Sequence, residues 1–199
     1  MYSFIFDVDG TLIDSYDGIT KATKAILDNY NYKMDNVREF ILDKSVLDLF
    51  KYISCHIGID SEILFEEYKI EREKTQFEYK FMPNVIESLK YLYSKGYMLF
   101  IYTHKGNAIN KILSDNGLSY LFTEVISSDT EGFRRKPDPY CINFLVNKYK
   151  LDKNNTYYVG DRRIDVTCAD NANIKAIFYG DKLKADINIL DFNELNNYF

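Results

Sequence analysis

The segment FIFDVDGTLID, residues 4–14, begins as a buried strand and then places two acids where the strand should end. Three apolar residues lead into Asp7, and Asp9 follows after a single intervening residue, with Gly10 and Thr11 next. Burying one carboxylate is costly in free energy, and two neighbouring carboxylates also repel each other unless a cation or a proton compensates them. The segment therefore predicts a strand that ends in a charged site.

The composition of the 199 residues, with 46% hydrophobic and 28% charged, is typical of an ordinary globular protein with one sizeable domain or one that carries an insertion. The net charge of −5 argues against nucleic acid or anionic membrane as a partner, although a local lysine could still hold a small phosphate. The three cysteines form no CxxC pair, and neither a membrane-length apolar run nor a signal peptide is evident. We therefore expect a cytoplasmic protein; its oligomeric state is not indicated.

Short apolar runs recur along the chain, and most of them end in a polar cluster. They are rich in β-branched and aromatic residues and apolar on both faces, as central strands of parallel sheets are. Stretches with helical spacing of apolar residues lie between them. The strands are predicted at 2–7, 97–104, 123–129, 156–161 and 175–180, and the helices between them at 84–96, 106–117, 137–150 and 163–173. This alternation predicts a Rossmann-like α/β core, a parallel sheet flanked by helices.

Residues 15–82 depart from that alternation, because they show helical periodicity without any strand. Three stretches carry the pattern: 16–30, 36–54 and 61–80. An all-helical block between the first strand and the rest of the sheet is interpreted as an inserted domain, which leaves 1–14 and 83–199 as the core. Within the insertion, Lys44 and Ser45 are candidates for substrate contacts, weighed against an ordinary solvated helix face.

Polar side chains follow the predicted strands at the edge of the sheet where open parallel sheets bind ligands. One lysine, Lys136, is expected at the start of a helix that begins with Pro137. Four carboxylates beside one lysine require a hard cation, and oxygen ligands of this kind suit Mg²⁺. The pattern thus predicts a magnesium site that also attracts a phosphate. Its members are Asp7, Asp9, Thr103, His104, Lys136, Asp161 and Asp165.

Four motifs carry a resemblance to a known family: DVDGT (7–11), TH (103–104), RKPDP (135–139) and GDRRID (160–165). Their order and context resemble the haloacid dehalogenase superfamily, and within it the phosphoglycolate-phosphatase-like branch with a helical cap after the first motif. The resemblance covers essentially the whole chain. It implies a Mg²⁺-dependent phosphatase acting on a small phosphomonoester, such as phosphoglycolate or a sugar phosphate, with the inserted helices as the cap.

The resemblance also implies a role for each motif residue. Asp7 would attack phosphorus and form an aspartyl-phosphate, and Asp9 would protonate the leaving oxygen and then activate water. Thr103 would hold phosphoryl oxygens with nearby backbone N–H groups, and Lys136 would neutralise the nucleophile and the transferring group. The remaining implied contacts are Mg²⁺ binding by Asp7, the Asp9 carbonyl, Asp161 and Asp165, and substrate binding by Gly10, Thr103, His104 and Lys136.

Two alternatives use the same kinds of residue. A phosphomutase would return the phosphoryl group to its substrate instead of releasing it. A receiver module of a signalling pathway would only store the group, but the insertion at 15–82 and the position of the DVDGT motif argue against it. Dehalogenation is disfavoured by Asp9, because a halide leaving group needs no proton.

Overall fold

The computed structural model describes all 199 residues, and they divide into two compact units. The first, here called the sheet unit, combines Met1–Asp14 with Phe81–Phe199, and the second, the helical unit, is Ser15–Lys80. The helical unit spans nearly the same residues as the insertion predicted at 15–82; that it acts as a cap stays a prediction. None of the helices has both the length and the apolar character needed to span a membrane.

The sheet unit is built on a six-stranded sheet in which every pair of neighbouring strands is parallel. The strands of the chain are β1 (Ser3–Phe6), β2 (Ile13–Asp14), β3 (Lys80–Phe81), β4 (Met98–Tyr102), β5 (Glu124–Ile126), β6 (Thr156–Gly160), β7 (Lys175–Tyr179) and β8 (Ile187–Ile189). The order in the sheet is β5-β4-β1-β6-β7-β8, while β2 and β3 form a separate two-stranded sheet. The predicted parallel α/β core is confirmed, with β8 as an additional edge strand that the sequence analysis does not predict.

The helices of the helical unit are α1 (Tyr16–Asn29), α2 (Val37–Asp43), α3 (Val46–Ile57) and α4 (Ser61–Thr75). Those of the sheet unit are α5 (Val85–Ser94), α6 (Ala108–Asp115), α7 (Tyr140–Tyr149), α8 (Arg163–Ala172) and α9 (Leu195–Tyr198). The predicted end of α8 is correct, because Asn173 adopts the left-handed conformation that stops the helix.

The single helix predicted at 36–54 is wrong, because the chain forms α2 and α3 there. Ser45 lies between them in an extended conformation, and its side chain accepts a hydrogen bond from the Asp48 N–H. A serine in this position caps a new helix. Inside a helix serine is less favourable, because its side chain can hydrogen-bond to nearby backbone groups in non-helical conformations.

The helix predicted to begin at Pro137 begins instead at Tyr140, so Lys136 lies in the preceding loop and not at the start of the helix. Two prolines explain the difference. Lys136 and Asp138 each precede a proline, which disfavours the helical conformation at both positions. The Asp138 carboxylate then accepts the Tyr140 N–H at 2.9 Å and satisfies a donor at the start of the helix.

The position of β1 determines where a ligand can bind. It is fully buried between β4 and β6, and the order of the strands along the chain reverses direction at this point. The carboxyl ends of β1, β4 and β6 therefore lie side by side at the topological switch point, where open α/β sheets bind ligands.

Candidate active site

Asp7 lies immediately beyond the carboxyl end of β1. Its N–H still donates to the Val159 carbonyl at 2.9 Å, so the backbone continues the pairing with β6 while the side chain reaches the edge of the sheet. The Lys136 Nζ lies 2.8 Å from Asp7 Oδ1 and 2.6 Å from Asp165 Oδ1. All three residues are buried, so one lysine joins two carboxylates away from solvent.

Burial and charge act against each other in this cluster. Burial raises the pKa of Asp7 to about 6; the Lys136 charge opposes the rise and the Asp165 carboxylate adds to it. Burial alone would lower the pKa of Lys136, but Asp165 and Asp7 more than offset this, and its pKa is raised. Lys136 is therefore a permanent cation next to the proposed nucleophile.

Three carboxylates lie close enough to share one metal ion. One oxygen from each of Asp7, Asp161 and Asp165 lies within 4.8 Å of the others. Asp161 also accepts a hydrogen bond from Thr11 Oγ1 at 3.1 Å, which links the DVDGT motif to the end of β6. Clustered carboxylate oxygens are the ligands that hard divalent cations prefer, so the residues present fit such an ion.

Gly160, the last residue of β6, allows Asp165 to reach this cluster. A Cβ atom at Gly160 would collide with the carboxyl group of Asp165. Asp165 Oδ2 also accepts the Arg162 N–H at 3.1 Å at the start of α8, which fixes the rotamer of the side chain. The sequence prediction did not include Gly160, although the pairing of a glycine with the following acid is a usable signal of close packing.

Lys105 is a second buried lysine that the sequence prediction missed. Its Nζ lies 2.9 Å from Asp9 Oδ1, and the residue is only 8% exposed. Its backbone N–H donates to Thr103 Oγ1 at 3.1 Å, while the Thr103 N–H donates to the Ile126 carbonyl. The sequence shows only a lysine two residues after Thr103, and this position is equally compatible with an ordinary surface lysine.

Gly10 and His104 occupy defined positions in the same region. Gly10 has a φ of 86°, and its N–H donates to the Ile13 carbonyl at 2.8 Å in the turn after Asp9. His104 Nε2 accepts the Lys136 backbone N–H at 2.9 Å, and its Nδ1 lies 3.3 Å from the Arg135 guanidinium. The predicted contacts of both residues with substrate stay predictions.

A family model described as haloacid dehalogenase-like hydrolase matches residues 4–179. The chain belongs to this family. The hydrolase predicted from the four motifs is thereby confirmed, and membership of a hydrolase family disfavours the receiver-module alternative.

Relatives of this haloacid dehalogenase-like hydrolase include two proteins named phosphoglycolate phosphatase. The one from Vibrio cholerae serotype O1 is 29% identical over 182 residues, covering 84% of this chain and 79% of the relative. The one from Aliivibrio fischeri is 26% identical over 189 residues, covering 88% of this chain and 83% of the relative. The predicted enzyme class, a phosphatase, is therefore confirmed, while substrate, metal and mechanism are matters for proposal.

Solved structures show the same fold. A haloacid dehalogenase-like family hydrolase from Streptococcus pneumoniae superposes with a TM-score of 0.84 at 19% identity, covering 100% of this chain and 98% of its own. A structure described as a predicted phosphoglycolate phosphatase from Haemophilus somnus superposes with a TM-score of 0.81 at 22% identity, covering 100% and 97%. At these identities the likeness concerns the fold alone.

Proposed function

We propose that this hydrolase is a Mg²⁺-dependent phosphatase that hydrolyses a small phosphomonoester through an aspartyl-phosphate on Asp7. The observation that carries the proposal is the buried contact of Lys136 with both Asp7 and Asp165, in a cluster with the Asp161 carboxylate. The proximity of these carboxylates and of a permanent cation at the carboxyl ends of β1 and β6 supports a nucleophile and a metal site there.

In the first step, an Asp7 oxygen attacks phosphorus and the bond from phosphorus to the ester oxygen breaks. Asp9, two residues further along the chain, gives its proton to the leaving oxygen, so that an alcohol departs. The Lys136 ammonium, 2.8 Å from Asp7 Oδ1, lowers the repulsion between the carboxylate and the anionic phosphoryl group.

In the second step, Asp9 takes a proton from water, and the resulting hydroxide attacks phosphorus. The bond from phosphorus to Asp7 breaks, inorganic phosphate is released, and both carboxyl groups return to their starting states. Thr103, at the end of β4, is proposed to hold a phosphoryl oxygen through its side chain, which accepts the Lys105 N–H and keeps its own proton for donation.

The metal ion would be bound by Asp7, Asp161, Asp165 and the carbonyl of Asp9. When bound, Mg²⁺ supplies positive charge that stabilises the phosphoryl oxygens as negative charge develops on them. The choice of Mg²⁺ rests on the all-oxygen ligand set, which suits hard cations better than transition metals.

The proposed substrate is a small phosphorylated metabolite, and the names of the curated relatives favour phosphoglycolate as the first compound to test. Sugar phosphates stay within the proposal. The helical unit, Ser15–Lys80, is proposed to act as the substrate-selecting cap. Neither nucleic acid nor membrane is expected as a partner, and a cytoplasmic location is part of the same proposal.

The test is a screen of phosphorylated metabolites with purified protein and Mg²⁺, with inorganic phosphate as the readout. We expect phosphate release that EDTA abolishes and that added Mg²⁺ restores. Undiminished turnover in EDTA would overturn the metal assignment. Transfer of phosphate to a second position on the substrate without release would favour the phosphomutase alternative.

A further inference from the structure

The loop that carries Lys136 is held on the end of β4 at two points. Tyr102 Oη donates to the Arg134 carbonyl at 2.6 Å, and His104 Nε2 accepts the Lys136 N–H at 2.9 Å. Alternate residues leave a strand on the same side, so Tyr102 and His104 can both reach this loop. Thr103, the proposed phosphate ligand, lies between them in the sequence.

The aromatic side chains around this contact restrict how it can move. The Phe133 ring packs edge-on against His104 with ring centroids 5.9 Å apart, and it makes a similar contact with Tyr102. Tyr102 itself is fully buried and accepts a hydrogen bond at its carbonyl from Tyr158 Oη at 2.6 Å. The backbone of Lys136 is therefore attached to a rigid part of the core through the imidazole of His104.

The hydrogen bond determines the state of the imidazole. A neutral ring has one accepting nitrogen, so acceptance at Nε2 requires the ring proton to lie on Nδ1. The Arg135 guanidinium also directs an N–H towards Nδ1 from 3.3 Å. Since a neutral ring accepts at one nitrogen only, we assign the acceptor to Nε2, whose contact with the Lys136 N–H is the shorter at 2.9 Å. Burial first, and then the charges of Lys136, Arg135 and Arg162, lower the pKa of His104 to about 2.

We propose that His104 is a positioning residue: a neutral imidazole that holds the Lys136 backbone in register with Asp7, and not a group that contacts substrate. The attraction between the Lys136 ammonium and the Asp7 carboxylate, now 2.8 Å apart, weakens as they separate, and the long lysine side chain is oriented from its backbone. A displacement of about 1 Å at a catalytic group can lower a rate by about 100-fold. The inference rests on the proposed function through the role of Lys136.

The hydrogen bond itself can be tested without any activity measurement. The chain has two histidines, so the variant His56→Leu leaves His104 as the single imidazole in a ¹⁵N NMR spectrum. We expect the neutral tautomer with the proton on Nδ1, unchanged between about pH 5 and 8, where an ordinary histidine would titrate. A ring that becomes charged in this range, or that carries its proton on Nε2, would overturn the inference.

The catalytic consequence is tested with p-nitrophenyl phosphate and Mg²⁺ on His104→Leu, His104→Gln and the exposed control His56→Leu. Leucine removes the acceptor, so we expect kcat to fall about 10- to 100-fold with KM within about 2-fold of wild type. The carboxamide oxygen of glutamine can accept the Lys136 N–H, and we expect it to restore most of the lost kcat. His56→Leu should match wild type.

The other outcomes separate the possible explanations. A raised KM with unchanged kcat in His104→Leu would make His104 a substrate contact and overturn the proposal. Equal losses in the leucine and glutamine variants, with equally lowered melting temperatures, would make its role one of packing and also overturn it. If wild type hydrolyses no phosphomonoester, the proposed function fails, whereas the NMR tautomer still decides whether His104 holds the Lys136 backbone.

Discussion

Ion pairs of the same length occur in very different surroundings in the two units. In the sheet unit, Lys136 lies 2.8 Å from Asp7 and 2.6 Å from Asp165, with at most 8% of any of these side chains exposed. In the helical unit, Lys33–Asp28 and Lys69–Glu66 have the same two distances, but more than half of each side chain is exposed. Distance is equal, so exposure to water decides how much each pair contributes.

Exposure matters because water already solvates the charges of a surface pair, which typically contributes about 0–1 kcal/mol. A buried pair has lost that solvation, and removal of one partner leaves the other charge uncompensated at a cost of about 3–5 kcal/mol. A protein with hydrophobic residues in place of a buried ion pair is often at least as stable. The buried charges of the sheet unit are therefore better explained by chemistry than by stability. The Lys136 pairs of the sheet unit are therefore buried charges that call for a chemical explanation, whereas the Lys33–Asp28 and Lys69–Glu66 pairs of the helical unit are solvated.

The largest expected effect comes from Asp7→Asn, with Asp28→Asn in the helical unit as the matched control. The amide cannot attack phosphorus, so we expect phosphate release to fall by at least about 10³-fold. Asp28→Asn loses only a solvated pair and should keep wild-type turnover. Steady-state assays with Mg²⁺ measure both. Comparable turnover by Asp7→Asn would refute the covalent mechanism, and an equal loss in both variants would remove the distinction between the units.

The second prediction concerns Lys136→Met, which leaves Asp7 and Asp165 buried without their shared cation. We expect the free energy of unfolding to fall by about 3 kcal/mol in metal-free buffer, and turnover to fall by about 100-fold or more. Lys33→Met, the control, should change the free energy of unfolding by less than about 1 kcal/mol. Urea unfolding monitored by circular dichroism gives both values. Similar small changes in the two variants would mean that burial does not determine how much these ion pairs contribute to the free energy of unfolding.

The sequence predicts those parts of the candidate site that directly follow a strand. Asp7 and Asp161 follow apolar runs directly, and parallel strands bring their ends together, so position along the chain sufficed. Lys136 was identified from its motif, but its placement at the start of a helix was wrong because the prolines on either side of Asp138 delay the helix to Tyr140.

Lys105 could not be identified in this way. It becomes a site residue only because the chain after β4 turns its Nζ towards Asp9, which is 96 residues away in sequence. Such a pairing depends on three-dimensional packing, and no periodicity or local composition reports it. Gly160 is similar in part: a glycine in a strand can signal close packing, but only the fold shows that the approaching group is the Asp165 side chain.

The third prediction tests that approach with Gly160→Ala. The added Cβ would collide with Asp165, so we expect the free energy of unfolding to fall by about 1–3 kcal/mol and the Mg²⁺ concentration for half-maximal rate to rise about 10-fold or more. The control is Gly58→Ala in the helical unit. A Cβ added at Gly58 would meet no other atom within 4 Å, but the φ of this residue is +71°.

Gly58→Ala carries only a backbone penalty of about 1 kcal/mol and should leave the Mg²⁺ dependence unchanged. Thermal unfolding and Mg²⁺ titration of the rate compare the two glycines. An unchanged Mg²⁺ dependence in Gly160→Ala would show that the position of Asp165 does not matter for the metal.

The smallest expected effect is that of Ser45→Ala at the start of α3. Ser45 Oγ accepts the Asp48 N–H at 3.0 Å and so satisfies one donor at the end of the helix, and loss of such a cap costs about 1 kcal/mol. Ser54→Ala is the control, since Ser54 Oγ only donates to the Lys51 carbonyl within the same helix. Urea unfolding should separate the two variants while kcat and KM stay at wild-type values in both. A raised KM in Ser45→Ala alone would instead make Ser45 a substrate contact, and the helical unit would then take part in recognition through the residue that begins its third helix.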